Sequence, residues 1–293
     1  MTRWAFLAAA LLVVAGCAQP TPRYLVGEPY RLGGIWSYPK EDYALAETGL
    51  AEVMAAPIFG GQTANGEVQS AQGLTAAHRT LQLPAIIRVT NLENGRSMLL
   101  RVNDRGPEKP GRILGVSPRA GALLGMTPGR AVQISLVVDA EKSRAAAEGL
   151  PGQAPAPIAI VGAPRAAVAR EELAPLPGTR EAPRRDVQPI PTAAPVQEVA
   201  PVTRAVIAAL PETVTQGTPR PGRLFVDAGQ FSQRDIAARV AARLPGARVT
   251  QQGSGRNASF RVALGPFADV AGADLALERT LASGVSGARI IVE

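Results

Sequence analysis

The sequence is poor in the residues that most often announce a site. It has one cysteine and one histidine in 293 residues, so no internal disulfide can form and no zinc-type cluster of the two residue types can be assembled. Aromatic residues are only 4% of the chain. The apolar run from Trp4 to Val14 is too short for a comfortable membrane span. Lysine occurs only at Lys40, Lys109 and Lys142, so arginine carries the formal charge of +7 and the pI near 10.3. Those arginines are spread over every region and accompany no nucleic-acid module, which excludes a basic-patch nucleic-acid binder and leaves an arginine-rich solvated surface. No motif calls for a metal or an organic cofactor, and none is expected.

What is present divides the chain. The 46% hydrophobic content is enough for a core in one to three domains, provided linker does not dilute it. Of the 26 prolines, 14 fall between Ala140 and Pro221, among alanine and arginine with no sustained period. Such a stretch cannot bury enough apolar surface to offset its conformational entropy, so residues 140–221 read as a disordered Pro/Ala-rich linker. At the other end, Met1-Thr2-Arg3, the apolar run and Val14-Ala15-Gly16-Cys17 resemble a bacterial lipoprotein signal peptide. That resemblance implies removal of residues ahead of Cys17, lipidation of Cys17, and, with Ala18 rather than aspartate following, an outer-membrane anchor facing the periplasm. Residues 18–48, punctuated by Tyr24, Tyr30, Trp36, Tyr38 and Tyr43, read as a stem whose run from Glu28 to Lys40 adds a strap or short strand to the next domain.

Residues 49–139 alternate short strands with glycine-rich turns. Ile86 to Leu92 and Ser97 to Asn103 flank Asn94-Gly95, the strongest short-range hairpin signal. Pro118 to Met126 reads as a helix closed by Gly125, and Ala131 to Val138 as the last strand. This is the pattern of a small closed barrel. Within it lie three polar stations: Thr63-Ala-Asn65-Gly-Glu67, Leu74-Thr-Ala-Ala-His78, and Val102-Asn103-Asp104-Arg105-Gly106-Pro107. Asp104 follows a strand and precedes turn-formers, a place from which a carboxyl can serve a barrel rim. A turn aspartate can equally cap its own turn or pair with Arg105 or Arg112. Glu67 follows an Asn-Gly bend, and His78 is suited to tuning a carboxylate.

Taken in order and spacing, Gly49-x-Ala51, Thr63 to Glu67, Leu74 to Leu81, Val89-Thr-Asn91 through Arg96, Asn103 to Pro107, Arg112-Ile and Leu124-Gly-Met126 resemble the rare lipoprotein A family of septal lytic transglycosylases. The resemblance implies a double-psi β-barrel. It also implies cleavage of peptidoglycan glycan strands in which the 6-hydroxyl of the muramic sugar attacks, leaving 1,6-anhydro ends, so that a single carboxyl acts as acid and then base. On that pattern Asp104 is the leading acid, Glu67 shares acid/base work or orients substrate, and His78 hydrogen-bonds the catalytic carboxylate. Thr63, Asn65, Asn103 and Arg105 are candidate substrate contacts. Two departures stand out. Where relatives carry Gly-x-Ala-Ser-Trp-Tyr-Gly, this chain has Gly49-Leu-Ala51-Glu52-Val53-Met54-Ala55, with Ile58 or Phe59 in place of a phenylalanine ahead of Thr63. Where relatives carry aspartate before Leu-Ser, it has Gly115.

Residues 222–293 read as βαββαβ, with strands at Leu224–Ala228, Ala247–Gln252, Ala258–Leu264 and Ala288–Val292 and helices at Gln233–Leu244 and Asp269–Ala282. Gly229-Gln230-Phe231 and Arg261-Val-x-x-Gly265-Pro266-Phe267 resemble the SPOR domain, which implies binding of glycan stripped of stem peptides at division sites, with Gln230 and Phe231 as candidate contacts. The expected fold class is therefore mainly β plus α+β. The expected partners are denuded peptidoglycan and, through the lipid, the outer membrane, with no nucleic acid. A non-catalytic lipoprotein tethering outer membrane to wall is the alternative, and a wall-loosening barrel of the expansin type a third.

Overall fold

The computed structural model describes residues 21–55, 61–152, 209–255 and 258–293. The expected signal peptide with Cys17, the pair Ile58 and Phe59, and the middle of the expected linker lie outside the described residues.

A hairpin of β1 (Tyr30–Leu32) and β2 (Ile35–Ser37) precedes six strands that close on themselves. These are β3 (Ala46–Val53), β4 (Thr75–His78), β5 (Ala85–Asn91), β6 (Arg96–Asp104), β7 (Arg112–Val116) and β8 (Val132–Val138). They run β4-β7-β3-β8-β5-β6 around the barrel, and β6 pairs back to β4. Two of the pairings, β3 with β7 and β4 with β6, are parallel, while the others are antiparallel. Closure removes the free edges that a small sheet would otherwise expose.

The alternation in sequence explains the core. On β5, Ile87 and Val89 are fully buried while Arg88 between them faces solvent, and Leu100, Leu114, Ile134 and Leu136 meet them inside the barrel. The β5–β6 turn forms at Asn94-Gly95, where Gly95 has φ 79° and a side chain would come within 2.1 Å of the Gly217 carbonyl oxygen, so only glycine fits. Helix α1 (Pro118–Leu124) starts at an N-cap Ser117 whose hydroxyl accepts from Ala120 N and ends at a left-handed Gly125, as the proline, serine and glycine dictate.

Three expectations about boundaries change. The first barrel strand begins at Ala46, ahead of Gly49. The stem is part of the domain: Leu25 bridges Leu83, and Tyr24 is buried with Ala147 and Leu150. The expected linker is ordered at both ends. Its first residues form α2 (Ala140–Ala147), capped by Asp139 and fixed by the buried Ser143 hydroxyl, which donates to Ile86 O at 3.1 Å and accepts from Ile86 N at 2.9 Å. Near its end, β9 (Thr215–Gln216) pairs with Arg96 and Ser97 of β6. Both segments are short and dock on partners distant in sequence, Ala147 and Leu150 on Tyr24 and Thr215 on Ser97, which is why composition does not reveal them.

The C-terminal domain has β10 (Leu224–Phe231), α3 (Arg234–Ala241), β11 (Arg248–Gln252), β12 (Ser259–Phe267), α4 (Val270–Ala282) and β13 (Arg289–Val292). Its sheet is antiparallel in the order β11-β12-β10-β13. Val226, Ala237, Val262, Leu277 and Ile290 are buried between sheet and helices. The strand and helix order is the βαββαβ expected from sequence. This domain and the barrel belong to one compact unit. The Arg112 guanidinium, on β7, reaches both carboxylate oxygens of Asp274 on α4 at 2.7 and 2.8 Å, and Thr48 Oγ1 donates to Val292 O at 2.6 Å. Leu50 is fully buried among the apolar residues of the C-terminal domain. A side chain at Gly111 (φ 78°) would lie 2.8 Å from Leu277 Cδ2 and 2.9 Å from Ile290 Cδ1, so the barrel backbone approaches this closely only because it is glycine.

Candidate active site

The first station is a tight loop that is nearly sealed from solvent. Thr63 N donates to Glu67 O at 2.9 Å, and Gly66, at φ 85°, donates to Thr63 O at 2.9 Å. Thr63 Oγ1 donates to Asn65 Oδ1 at 2.8 Å, and Asn65 is fully buried. Glu67 closes the network. Its Oε1 accepts from Asn65 Nδ2 at 2.8 Å and from Arg101 Nε and Nη2 at 2.8 and 2.6 Å. Its Oε2 accepts from Asn103 Nδ2 at 2.8 Å. With the residue only 5% exposed, both oxygens are spent inside the protein. Glu67 braces the loop against β6 and presents no carboxylate to a cleft. Thr63, Asn65 and Asn103 belong to the same brace, so these expected substrate contacts sit behind the rim, where they hold it in place.

The brace has a consequence at the third station. Ala64, held between Thr63 and Asn65, aims its N–H at Asp104 Oδ1 at 2.9 Å, and Arg105 N donates to the same oxygen at 2.8 Å. Asp104 is half-buried, and its Oδ2 takes no hydrogen bond among the described residues. One oxygen is thus locked by two amides and the other is open. The arrangement contains the Asx-type turn bond, but neither arginine salt bridge forms. Arg112 is taken by Asp274. Arg105 donates to the carbonyl of Leu81 at 2.5 Å and to that of Val26, stapling rim, turn and stem together.

His78 ends β4. Its Nδ1 accepts from Thr80 N and Leu81 N at 3.2 and 3.1 Å, which puts the ring proton on Nε2. That nitrogen lies 2.9 Å from Glu47 Oε1. Both ring nitrogens are therefore occupied, and the expected bond from His78 to the catalytic carboxylate is not made. The link to Asp104 runs through the strand, where Ala77 pairs with Asp104 across the parallel β4–β6 ladder.

Glu47 is the residue that sequence reading missed, and its only signal was a carboxylate set within a strand-forming run. Burial pushes its carboxyl up, but the bond from His78 and the Arg289 guanidinium outweigh that and hold it below the usual glutamate value. A depressed carboxyl contributes stability that is present above the unfolded pKa, about 4.3, and is lost as pH falls through the lower folded value. Glu47→Gln is expected to lower the melting temperature most at pH 7 to 8, where the wild type holds the full contribution, and progressively less as pH falls below about 4.3, so that the acid limb is flatter, measured by the melting temperature at each pH.

The stem covers this rim as a strap. Tyr30 OH donates to Arg79 O at 2.9 Å, and Arg79 donates to Leu32 O and Glu108 O at 3.1 and 3.0 Å. The two departures noted in sequence prove to be one packing unit. A Cβ on Gly115 would lie 2.8 Å from Met54 Cγ and 2.9 Å from its Sδ, so Met54 fills the space that a side chain at 115 would need. Gly115→Ala is expected to destabilise the wild-type barrel by about 1–3 kcal/mol, as overpacking does, and to cost clearly less beside Met54→Ala, a coupling that a double-mutant cycle in urea reads directly. Gln230 and Phe231 lie on β10 of the C-terminal domain. Gln230 is exposed and bonded to Ser259 at 2.5 Å, and the half-buried Phe231 is paired with Phe260.

Residues 51–136 match the family described as "Lytic transglycolase". The chain is 42% identical over 104 residues to "Endolytic peptidoglycan transglycosylase RlpA" of Rickettsia bellii, covering 34% of this chain and 46% of that protein. It is 34% identical over 229 residues to the protein of the same name from Pseudomonas aeruginosa, covering 74% and 61%. The chain thus spans about half to three-fifths of the length of these curated relatives. Among solved structures, the RlpA SPOR domain from Pseudomonas aeruginosa aligns with 24% of this chain and 99% of its own, at 17% identity and a TM-score of 0.22.

Proposed function

We propose that the chain is a member of the rare lipoprotein A (RlpA) family, which its matches to that family's proteins support, and a lytic transglycosylase of peptidoglycan whose acid is Asp104. The observation that carries this reading is the asymmetry of the two carboxylates, with Glu67 wholly consumed and Asp104 holding one open oxygen at the rim. The protonated Asp104 gives its proton to the glycosidic oxygen as that bond to C1 breaks. The muramic 6-hydroxyl closes on C1, and the Asp104 carboxylate takes the hydroxyl proton, restoring the acid. The two amides on Oδ1 keep the carboxyl in one orientation through both transfers, so no second carboxylate and no activated water are needed. Glu67 and Arg101 act through the loop, by holding Ala64 N on that oxygen.

The finer parts of the reading are proposals of the same kind. The substrate is glycan lacking stem peptides, recognised by the C-terminal domain as well as the barrel. The place of action is the division septum, with Cys17 lipidated and the protein anchored in the outer membrane, facing the periplasm. Support comes from the leader pattern and from the SPOR-like motifs. Incubation with peptide-free sacculi and with intact sacculi tests substrate choice: release of soluble glycan from the first and little from the second is expected, and equal release from both contradicts it. The Met54 and Gly115 pair favours one other reading, a barrel that grips glycan without cutting it. Retention on peptide-free sacculi with no soluble product selects that reading.

A further inference from the structure

A cavity of about 260 Å³ opens where the strap, the barrel and the C-terminal domain meet. Its walls include Trp36, Tyr38, Glu47, His78, Arg79 and Arg289. We propose that this cavity is a subsite for a pyranose bearing a free carboxylate, as a muramic residue does when its lactyl acid carries no stem peptide; the inference rests on the wall-glycan reading above and assigns that glycan a second place on the protein.

Three observations carry it. Trp36 and Tyr38 are 53% and 64% exposed, large rings left out of any core, and both border this one cavity. Separated by one residue along an extended segment, they are directed to the same side, which suits an apolar sugar face laid against rings, with hydroxyls reaching polar walls. Val53, the last residue of β3, and Met54 after it offer no ring, so the strap is the aromatic source here.

The second observation is charge. Among the described residues Glu47 is the only carboxylate on the walls, with its Oε1 on His78 and its Oε2 facing Arg289 at 3.6 Å. Of the arginines, Arg112 is held by Asp274 and Arg79 by two carbonyls. Arg289 is different. It stands 3.6 Å from Glu47 and 3.8 Å from Asp227, beyond hydrogen-bond range, with its side chain 57% exposed. Its side chain makes these two loose ion pairs and no hydrogen bond among the described residues, so its N–H groups remain available for the paired contacts that a carboxylate accepts.

The third is position. The cavity shares His78 with the candidate active site, and the preceding residue, Ala77, pairs with Asp104. The cavity and the acid are thus borne by the neighbouring strands β4 and β6. Arg289 comes from the C-terminal domain, so the subsite is complete only when that domain is docked on the barrel.

Trp4 and Trp36 are the only tryptophans, which makes Trp36 a reporter in the full chain carrying Trp4→Phe and, to prevent turnover, Asp104→Asn. This protein is titrated with a peptide-free muramic tetrasaccharide, with the same glycan methyl-esterified at its carboxylates, and with a neutral tetramer of N-acetylglucosamine. A saturable change in Trp36 fluorescence is expected with the acid, and about tenfold weaker binding with the ester and the neutral tetramer, the scale of one charge-assisted contact. Arg289→Gln is expected to abolish the preference for the acid, and Arg289→Lys to keep part of it. A silent Trp36, equal affinity for acid and ester, or an unchanged preference in Arg289→Gln overturns the inference. The two readings fail separately. Cleavage by the Trp4→Phe chain with a silent Trp36 removes the subsite and leaves the transglycosylase, whereas a Trp36 response without cleavage does the reverse.

Discussion

Glu67→Gln is expected to destabilise the barrel by about 3–5 kcal/mol, because the substitution removes the negative charge and leaves the Arg101 guanidinium buried and uncompensated. Arg101 is buried, and its side chain pairs with Glu67 at 2.6 Å. Glutamine retains the shape but offers only one acceptor oxygen, which cannot serve Arg101, Asn65 and Asn103 together. The midpoint of urea unfolding reads the effect. Replacing both partners in Glu67→Gln/Arg101→Met is expected to recover part of the loss, since the stranded charge is gone. Activity falls with Glu67→Gln as well, but in proportion to lost fold. A variant that keeps wild-type stability and loses activity outright would return Glu67 to the acid's role.

Asp104→Asn has the opposite signature. The asparagine carbonyl still accepts from Ala64 N and Arg105 N, so the rim keeps its bonds and the melting temperature stays close to wild type. The proton donor is lost, and turnover of peptide-free glycan is expected to fall by about 10²–10⁴, the usual contribution of a positioned general acid and base. Release of soluble product per unit of folded protein measures it. Read together, the two variants separate positioning from chemistry: one loses the fold and the other only the reaction.

The parts of this fold legible in sequence are those set by neighbours in the chain. Asn94-Gly95 announces its hairpin because a positive φ is a local demand, and Pro118 with Gly125 brackets α1 because caps are local too. The order of elements in the C-terminal domain follows from periodicity in the same way. The segments that escaped are held by distant partners. Helix α2 is held by Ser143 reaching Ile86 and Ala147 buried against Tyr24, and β9 depends on the edge of β6, and none of these partners is visible from composition. The docking of the C-terminal domain through Arg112 and Asp274 spans 162 positions.

The site divides along the same line. All three polar stations could be found as motifs. Which carboxylate does what could not, because it turns on burial. Glu67 becomes a brace only when β6 brings Arg101 and Asn103 to it from 34 and 36 positions away. His78 takes Glu47 as partner across the fold from the stem side, so the natural guess, a bond to Asp104, was misplaced. Gly115 and Met54 looked like two separate losses in sequence and are one exchange of volume in space.

The most direct test of the account is the chemistry of the new chain end. Peptide-free glycan is digested with the protein in ¹⁸O-labelled water, and the product ends are weighed by mass spectrometry. Intramolecular attack by the 6-hydroxyl predicts muramic ends one water lighter than a reducing end and free of ¹⁸O, absent from the Asp104→Asn digest. Reducing ends carrying ¹⁸O would mean that water is the nucleophile, and anhydro ends undiminished in Asp104→Asn would mean that another group is the acid; either result contradicts the account.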